Sequence, residues 1–287
     1  VRVVAPTVFP KPTRKIGANA VPIVKPTFGR HRSDRDAVFA YAEGYKLPYY
    51  MMFLETLQST GFAGDVVLAI AEERIIKENV KEYLKTYATN NRDENAMHVV
   101  VYQLPLDCDS RDGSTGRHLM PSGETDVFQM CRLHDVYGMD GKPAPDPRDG
   151  RVVATLRYEW YWIWSLNYEP QQWMLLLDAR DSFFQSNPFA NLPRQTTTTP
   201  VTDGLLYLFG ENAEATRLGK SHKNMRWLQN GYGDLVFESL KDKPTICSGS
   251  TMGEQIAIET YLRAMVNEHD ECNIKMTGSD QGFHNYL

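Results

Sequence analysis

Two aspartates end an apolar run in the middle of the chain. The segment WMLLLDARDSFFQSNPF (residues 173–189) places Asp178 and Asp181 directly after five apolar residues. Carboxylates at the end of a buried strand repel each other and lose solvation, and a hard divalent cation offsets both costs. Mn²⁺ and Mg²⁺ accept carboxylate oxygens and leave positions for phosphate oxygens. The pair therefore predicts a metal site that holds a nucleoside diphosphate.

The spacing of the two aspartates leaves their roles open. Side chains three residues apart on a regular strand point to opposite faces, so both reach one metal ion only where the backbone turns between them. Otherwise we expect Asp181 to hold the metal, while Asp178 contacts the ribose or an ordered water. A structural alternative is that Asp178 caps a turn and Asp181 pairs with Arg180 or with a lysine.

Strands and helices alternate around this motif. Four segments have the composition of buried strands: AVFAYA (37–42), DVVLAIA (65–71), MHVVVYQL (97–104) and WMLLL (173–177). Helices are predicted between them from Pro48 to Gly61, over 72–88, and over 151–168, where aromatic residues on all sides indicate burial. This alternation predicts an α/β fold with a doubly wound, mostly parallel sheet. Ligands of such sheets bind beyond the carboxyl ends of the strands, where the two aspartates lie.

Two stretches lie outside this alternation. Residues 1–36 contain five prolines and no apolar periodicity, which predicts an extended stem or linker before a domain over 37–287. The mixed-charge segment GRHRSDRD (29–36) is typical of a solvated loop. Residues 104–150 are rich in Gly, Pro, Ser and Asp and too long for an ordinary connection. We expect them to overhang the carboxyl edge of the sheet and to shape the substrate site.

Composition narrows the class of protein. A net charge of -5 and a pI near 5.8 argue against a general nucleic-acid-binding protein. No apolar run reaches the roughly 18 residues of a membrane helix, although a signal peptide or membrane anchor could precede Val1. The four cysteines lack CxxC spacing, which disfavours a thiolate metal site and leaves free thiols or one or two disulfides open.

The aspartate motif resembles that of the nucleotide-sugar glycosyltransferases of the GT-A fold. These enzymes carry an apolar strand ending in a DxD motif, then a hydrophobic stretch and an acidic or amide residue before Pro-Phe. The segment LLLDARDSFFQSNPF (175–189) matches this layout, with Asp181 as the second motif aspartate and one inserted residue. The resemblance covers residues 37–287. It implies a Mn²⁺- or Mg²⁺-dependent enzyme of the secretory pathway, with the Golgi lumen as its location, that moves a sugar from a nucleoside-diphosphate sugar to a hydroxyl of a glycan or glycoprotein.

A second segment, TICSGSTMGEQIAIETYL (245–262), resembles the small-residue turn that this family places beneath the sugar, followed by a helix. Ser248, Gly249 and Ser250 would let the backbone approach the nucleotide or sugar closely. The alternative is an ordinary helix start with serine caps.

A third segment, GSDQGFHNYL (278–287), resembles the late segment in which an Asp-Gln pair faces the donor sugar and the acceptor. If Ser279 caps a helix, Asp280 and His284 lie on one helical face. We expect Asp280 to accept a proton from an acceptor hydroxyl and Gln281 to bind that hydroxyl. His284 is expected to ligate the metal or donate a hydrogen bond, with a structural histidine as the alternative.

Further binding residues follow from the resemblance and from topology. Arg157 precedes the motif at the distance where related enzymes often carry an arginine that reaches the diphosphate. Its alternative role is a buried pair with Glu159 or another carboxylate. Ala42 and Glu43 lie at the end of the first predicted strand and so occupy the nucleoside-binding edge of the sheet.

Two other functions remain open at this stage. One is a non-catalytic binding or scaffold protein that keeps the GT-A fold. The other is a haloacid-dehalogenase-like phosphatase, which also ends an apolar strand in aspartates. That chemistry needs a nucleophile and an acid two residues apart on the first core strand, so aspartates three apart on the fourth strand disfavour it.

Overall fold

A computed structural model describes most of the chain. It covers residues 25–42, 44–70, 76–89, 93–103, 106–110, 117–119, 125–127, 129–133, 136–137, 143–144, 150–194, 204–212, 214–272 and 278–287. The Pro-rich residues before 25 lie outside this part, so a stem there stays a prediction.

The first elements are three strands joined by two helices. They are β1 (Ala37–Tyr41), α1 (Leu47–Ser59), β2 (Asp65–Ile70), α2 (Glu78–Thr89) and β3 (His98–Gln103). Pro48 lies in the first turn of α1, where its missing N–H removes no helical hydrogen bond. Gly61 follows the helix with a φ of 76°, a conformation that suits glycine. These elements confirm the pattern predicted from periodicity.

The long insertion contains short strands. They are β4 (Leu106–Ser110), β5 (Arg117–Leu119), β6 (Thr125–Val127), β7 (Gln129–Leu133), β8 (Val136–Tyr137), β9 (Pro143–Ala144) and β10 (Arg151–Val152). Strands β4, β7 and β10 form a small antiparallel sheet, and β5–β6 and β8–β9 are two antiparallel pairs. Much of the insertion lies outside the described residues, so its position over the carboxyl edge stays a prediction.

The remaining elements complete the domain. They are α3 (Val153–Ser165), β11 (Trp173–Leu177), β12 (Leu206–Gly210), α4 (His222–Leu240), β13 (Ile246–Glu254), α5 (Gln255–Cys272) and α6 (Ser279–Tyr286). Among the described residues, no helix combines the length and the apolar character needed to cross a membrane.

The central sheet is six-stranded and mostly parallel, with the order β12-β13-β11-β1-β2-β3. Strands β11, β1, β2 and β3 pair in parallel, whereas β13 is antiparallel to both β11 and β12. The small-residue turn predicted around Ser248, Gly249 and Ser250 is wrong, because these residues lie within β13. Their weak strand propensity is overridden by pairing with β11 on one side and β12 on the other.

Helices cover both faces of this sheet. Alternate residues of β1 face opposite cores: Phe39 packs with residues of α3, α5 and α6, and Val38 packs with residues of α1 and α2. Helix α3 is buried on most sides, as its aromatic residues predict, and Trp160 and Trp164 are among the largest fully buried side chains. The doubly wound α/β arrangement is therefore present.

The segment GRHRSDRD packs against the amino ends of the strands. The Arg32 Nε donates to Asp65 Oδ1 at 2.7 Å, and His31 lies 2.8 and 2.7 Å from the hydroxyls of Tyr168 and Tyr102. Phe28 also forms a β-bridge with Val101. The prediction of a solvated loop holds in part: Arg30, Ser33 and Asp34 are exposed, whereas Arg32 pairs with the completely buried Asp65.

The cysteines differ in state. Cys131, which is opposite Cys108 in the β4–β7 register, is disulfide-bonded. Cys247 and Cys272 are free thiols. One of the alternatives left open by the sequence is thus realised, since at least one disulfide is present.

Buried histidines make stability depend on pH. Burial lowers the pKa of His31 and of His284 to about 4, and lowers that of His269 well below its ordinary value. An unfolded histidine titrates near pH 6.5, so the folded chain binds fewer protons between roughly pH 4 and 6.5. The free energy of unfolding should therefore fall as the pH drops through this window. We expect His31→Gln to reduce that fall by up to about 1.4 kcal/mol per pH unit, measured as urea unfolding at several pH values.

The exposed His222→Gln is the matched control and should leave the pH dependence of the wild type unchanged. Burial also raises the pKa of Asp65, so this carboxyl changes the pH dependence of unfolding in the opposite direction. Asp65 is present in the wild type and in both variants, so its effect cancels when their pH dependences are compared. Equal pH dependence in wild type and His31→Gln would contradict the assignment.

Candidate functional site

The order of strands changes direction between β1 and β11. Strands β2 and β3 lie on one side of β1, and the chain then returns to place β11 on its other side. In open α/β sheets ligands bind at such a point, beyond the carboxyl ends of the strands. Asp178 and Ala42 are the residues that follow β11 and β1. Ala42 is completely buried and its carbonyl accepts a hydrogen bond from the Tyr50 hydroxyl, whereas Glu43 lies outside the described residues.

An arginine joins two carboxylates beyond the end of β11. The Arg157 Nη1 donates to Asp178 Oδ1 at 2.5 Å, and its Nη2 donates to Asp280 Oδ2 at 2.6 Å. Arg157 comes from the second turn of α3 and Asp280 from the first turn of α6. One planar guanidinium thus brings residues of three separate elements to a single point.

The two carboxylates differ in exposure. The Asp280 side chain is 6% exposed and that of Arg157 is 11% exposed, whereas the Asp178 side chain is 44% exposed. Asp178 is therefore the member of the cluster that a ligand in solvent can reach. Glu159 is the alternative partner that the sequence suggested for Arg157. It is completely buried and pairs instead with Arg151 at 2.7 Å.

Helix α6 is fastened to β13 around Asp280. The Tyr158 hydroxyl and the Ser248 Oγ both lie 3.3 Å from Asp280 Oδ2 and donate to it, in addition to Arg157. Gln281 accepts a hydrogen bond from the Ser248 backbone N–H at 2.8 Å and donates to the Ile246 carbonyl at 2.6 Å. These bonds orient Asp280 and also commit the Gln281 amide to the backbone of β13.

Gly249 allows Asp178 to lie close to β13. The Asp178 N–H donates to the Gly249 carbonyl at 3.3 Å, and an added Cβ on Gly249 would lie 3.1 Å from Asp178 Oδ2. A larger residue would displace the carboxylate from Arg157. Gly249 therefore lies in close contact with Asp178, and the predicted approach of a nucleotide or sugar to this backbone stays a prediction. Ser250 pairs with Leu177 and does not line the cavity beside Asp178.

A cavity of about 460 Å³ opens beside this cluster. Its volume lies within the range of small-molecule sites, about 300–1,000 Å³. Strands β11 and β13 and helices α3, α4 and α6 contribute to its walls. The lining residues are Arg157, Asp178, Glu211, Thr216, Ser221, Lys223, Asn224, Trp227, Ser248, Gly278, Asp280 and Gln281.

Asp181 follows Asp178 across a turn. Ala179 and Arg180 form the turn, Asp181 lies in a bend, and its side chain is exposed. The pKa of Tyr45 is raised first by burial, then by the negative charges of Asp178 and Asp181, with Arg180 opposing. Both carboxylates therefore act on one tyrosine hydroxyl. The condition for sharing a metal ion, a backbone turn between the aspartates, is met.

His284 lies apart from this cavity. It is 3% exposed, and its Nδ1 lies 2.5 Å from the Tyr261 hydroxyl. Burial holds its pKa near 4, so the ring is neutral at physiological pH. Within the described part of the chain, no group of three or more His, Cys, Asp or Glu residues could hold a metal. The expected set of Asp178, Asp181 and His284 does not come together.

The remaining donor set still fits one kind of cation. Mg²⁺ and similar ions are commonly held by one or two carboxylates together with water and substrate phosphate oxygens. Asp178 and Asp181 can supply the two carboxylates from a single turn. Such a site would be completed by the nucleotide rather than by further protein ligands.

The sequence analysis did not predict that Trp227 lines the cavity, or that Gly278 and Gly282 pack against it. Added Cβ atoms on Gly278 and Gly282 would lie 2.4 Å from Trp227 Cζ2 and 2.9 Å from Trp227 Cβ. The two glycines thus leave a surface without side chains at the start of α6, and Trp227 of α4 packs on it. The signal was the pair of glycines four residues apart in GSDQG, since glycine in a helical pattern often has a packing reason.

Comparison with models of protein families and with curated proteins finds no match to this chain. What the cavity does is therefore inferred from its own residues and from the motif resemblance.

Replacing Gly278 tests the packing of Trp227. Gly278 has a φ of 79°, so Gly278→Ala should pay backbone strain of about 1–2 kcal/mol and overpacking of about 1–3 kcal/mol. We expect a combined loss of about 2–5 kcal/mol in the free energy of unfolding, measured by urea denaturation.

Gly61→Ala separates these two contributions. Gly61 has a similar φ of 76°, and an added Cβ there would meet nothing within 4 Å. It should lose only the strain. Equal losses in the two variants would show that Trp227 does not pack on Gly278 as described.

Proposed function

We propose that this protein is a metal-dependent glycosyltransferase, which moves a sugar from a nucleoside-diphosphate sugar to a hydroxyl of a glycan or glycoprotein. The observation that carries the proposal is the cluster of Asp178, Arg157 and Asp280 in a 460 Å³ cavity beyond the carboxyl end of β11. The cavity adjoins the point where nucleotides bind in open α/β sheets.

The fold supports this function at a coarser level. A six-stranded, mostly parallel sheet with helices on both faces is compatible with a nucleotide-binding domain, and we propose that it is of the GT-A type. The DARD motif directly follows β11, as the resemblance implies. The single antiparallel strand, β13, lies beside it and carries Ser248 and Gly249.

We assign the donor to the edge formed by β1 and β11. The nucleoside would lie near Ala42, Glu43 and Tyr45, and the diphosphate near Asp178 and Asp181. A bound Mn²⁺ or Mg²⁺ would offset the charge of the leaving diphosphate. Arg157 holds Asp178 in place and adds positive charge to this end of the cavity. Ser248 and Gly249 would form the floor under the sugar.

Transfer requires an acceptor hydroxyl near the anomeric carbon. The bond between the acceptor oxygen and the anomeric carbon forms as the bond from that carbon to the phosphate oxygen breaks, and the nucleoside diphosphate leaves with the electron pair. We assign to Asp280 the role of taking the hydroxyl proton. Since its Oδ2 already accepts from Arg157, Tyr158 and Ser248, we assign the proton to Oδ1.

The disulfide of Cys131 supports an oxidising compartment for this chemistry, because structural disulfides are rare in reducing compartments. We therefore keep the secretory pathway, and the Golgi lumen within it, as the proposed location.

A non-catalytic binding protein of the same fold is the second candidate. The observation that favours it is that Arg157 already pairs with both carboxylates, so the cluster is satisfied without a metal ion. Such a protein would bind the nucleotide without transferring the sugar.

A donor screen tests the proposed function. Hydrolysis of UDP- and GDP-sugars, with and without Mn²⁺, should identify one donor whose cleavage depends on the metal. We expect Asp178→Asn to weaken Mn²⁺-dependent binding of the matching nucleoside diphosphate by about 10²-fold, because it removes charge from the exposed ligand. Titration calorimetry measures this affinity, and the exposed Asp242→Asn serves as the control.

Asp181→Asn decides whether the second carboxylate also ligates the metal, and a loss of similar size would show that it does. Absence of nucleoside-diphosphate binding to the wild type would contradict the proposed function. Binding without hydrolysis or transfer would favour the second candidate.

Asp280→Asn tests the proposed base. The change keeps the shape of the side chain but removes its ability to take a proton. We expect the transfer rate to fall by about 10²-fold or more, with donor affinity nearly unchanged. A melting temperature close to that of the wild type is required for this reading, since Asp280 also pairs with Arg157. A small effect on rate would assign Asp280 a structural role.

A further inference from the structure

The proposed donor site does not use the outer wall of the cavity. It is formed by the segment after β12 and by the first turns of α4, on the side of Asp178 away from β1. Its residues are Glu211, Thr216, Ser221, Lys223, Asn224 and Trp227.

Trp227 is the largest side chain of this wall and is held in a fixed position. The indole packs on Gly278, and the Cβ and backbone of Trp227 pack on Gly282; these glycines lie on either side of Asp280 and Gln281 in sequence. It is neither fully buried nor fully exposed, and it lines the cavity. Part of this side chain therefore lines the cavity next to the carboxylate that we assign as the base.

The chemistry of the wall suits a neutral sugar ring. A pyranose has an apolar C–H face that packs on an aromatic ring and hydroxyls around its rim that need hydrogen-bond partners. Thr216, Ser221 and Asn224 contribute neutral polar groups. Among the described residues of the wall, the one carboxylate, Glu211, is matched by one ammonium, Lys223, so these residues give no excess positive charge for an anionic sugar. Arg157 is already paired with Asp178 and Asp280.

We propose that Trp227 is the platform of an acceptor subsite for a neutral hexose or pentose ring, which positions the acceptor hydroxyl toward Asp280. This inference rests on the proposed function, because it assumes that the donor binds at the edge formed by β1 and β11. Substrates would then lie in the order nucleoside, diphosphate, transferred sugar and acceptor from β1 across Asp178 to α4.

Binding of simple glycosides tests the subsite without turnover. Saturation-transfer NMR would use methyl glycosides of the common neutral hexoses and of xylose, with methyl glucuronide as the anionic contrast. We expect the wild type to bind at least one neutral glycoside, and Trp227→Ala to weaken that binding about tenfold or more. Trp227→Phe, which keeps an aromatic face, should retain most of it. Methyl glucuronide should bind more weakly than the neutral sugar.

Kinetics with the identified donor supplies the second readout. Trp227→Ala should raise the KM for the acceptor about tenfold, by a larger factor than it changes the KM for the donor. Tyr286→Ala is the control, because this exposed aromatic residue of α6 does not line the cavity. It should leave both quantities unchanged.

The outcomes separate the two proposals. Glycoside binding that depends on Trp227 in a protein that cleaves no nucleotide sugar would overturn the proposed function and leave the subsite standing. Three results would overturn the subsite: no glycoside binding by the wild type, equal binding by folded Trp227→Ala, or loss of donor hydrolysis with acceptor binding retained. Melting temperatures of all variants decide whether Trp227→Ala is folded.

Discussion

The bridge from Arg157 to Asp178 and Asp280 is the interaction on which the candidate site depends. It joins the end of β11, the second turn of α3 and the first turn of α6 through two charge-assisted hydrogen bonds. Without the guanidinium, Asp280 would be a buried carboxylate facing another carboxylate, which costs several kcal/mol. Asp280 is also bonded to Ser248, so the bridge helps to hold α6 against β13.

The same bridge leaves the two carboxylates with different exposure and different hydrogen bonding. Asp280 is nearly buried and accepts three donors on one oxygen, so its orientation is fixed. Asp178 gives one oxygen to Arg157 and remains 44% exposed, so it can exchange partners. A metal ion or a diphosphate arriving at Asp178 would therefore meet a carboxylate that is positioned without being enclosed. The cluster is thus preorganised at Asp280 and open to solvent at Asp178.

Glycines shape the site as much as the charged residues do. Gly249 leaves space for the Asp178 carboxylate against β13, and Gly278 and Gly282 leave space for Trp227 against α6. In each case an added Cβ would lie about 3.1 Å or less from its neighbour, so elements approach more closely than any other residue allows. Packing between elements thus explains Gly249 and Gly282, and at Gly278 it adds to the positive φ of 79° that favours glycine.

The sequence alone determined the elements whose signals are local. Apolar runs and helical periodicity located β1, α1, β2, β3, α3 and β11, and with β11 the place of Asp178 at a carboxyl end. Strand β13 was missed because its serines and glycines have low strand propensity and acquire their conformation only by pairing with β11 and β12. Arg157 was expected at the site, but its partners lie 21 and 123 residues away in the chain. Likewise, His31, Arg32 and Trp227 depend on contacts between elements that only folding brings together. Periodicity reports which face of an element is buried, and the tertiary structure decides which side chains meet there.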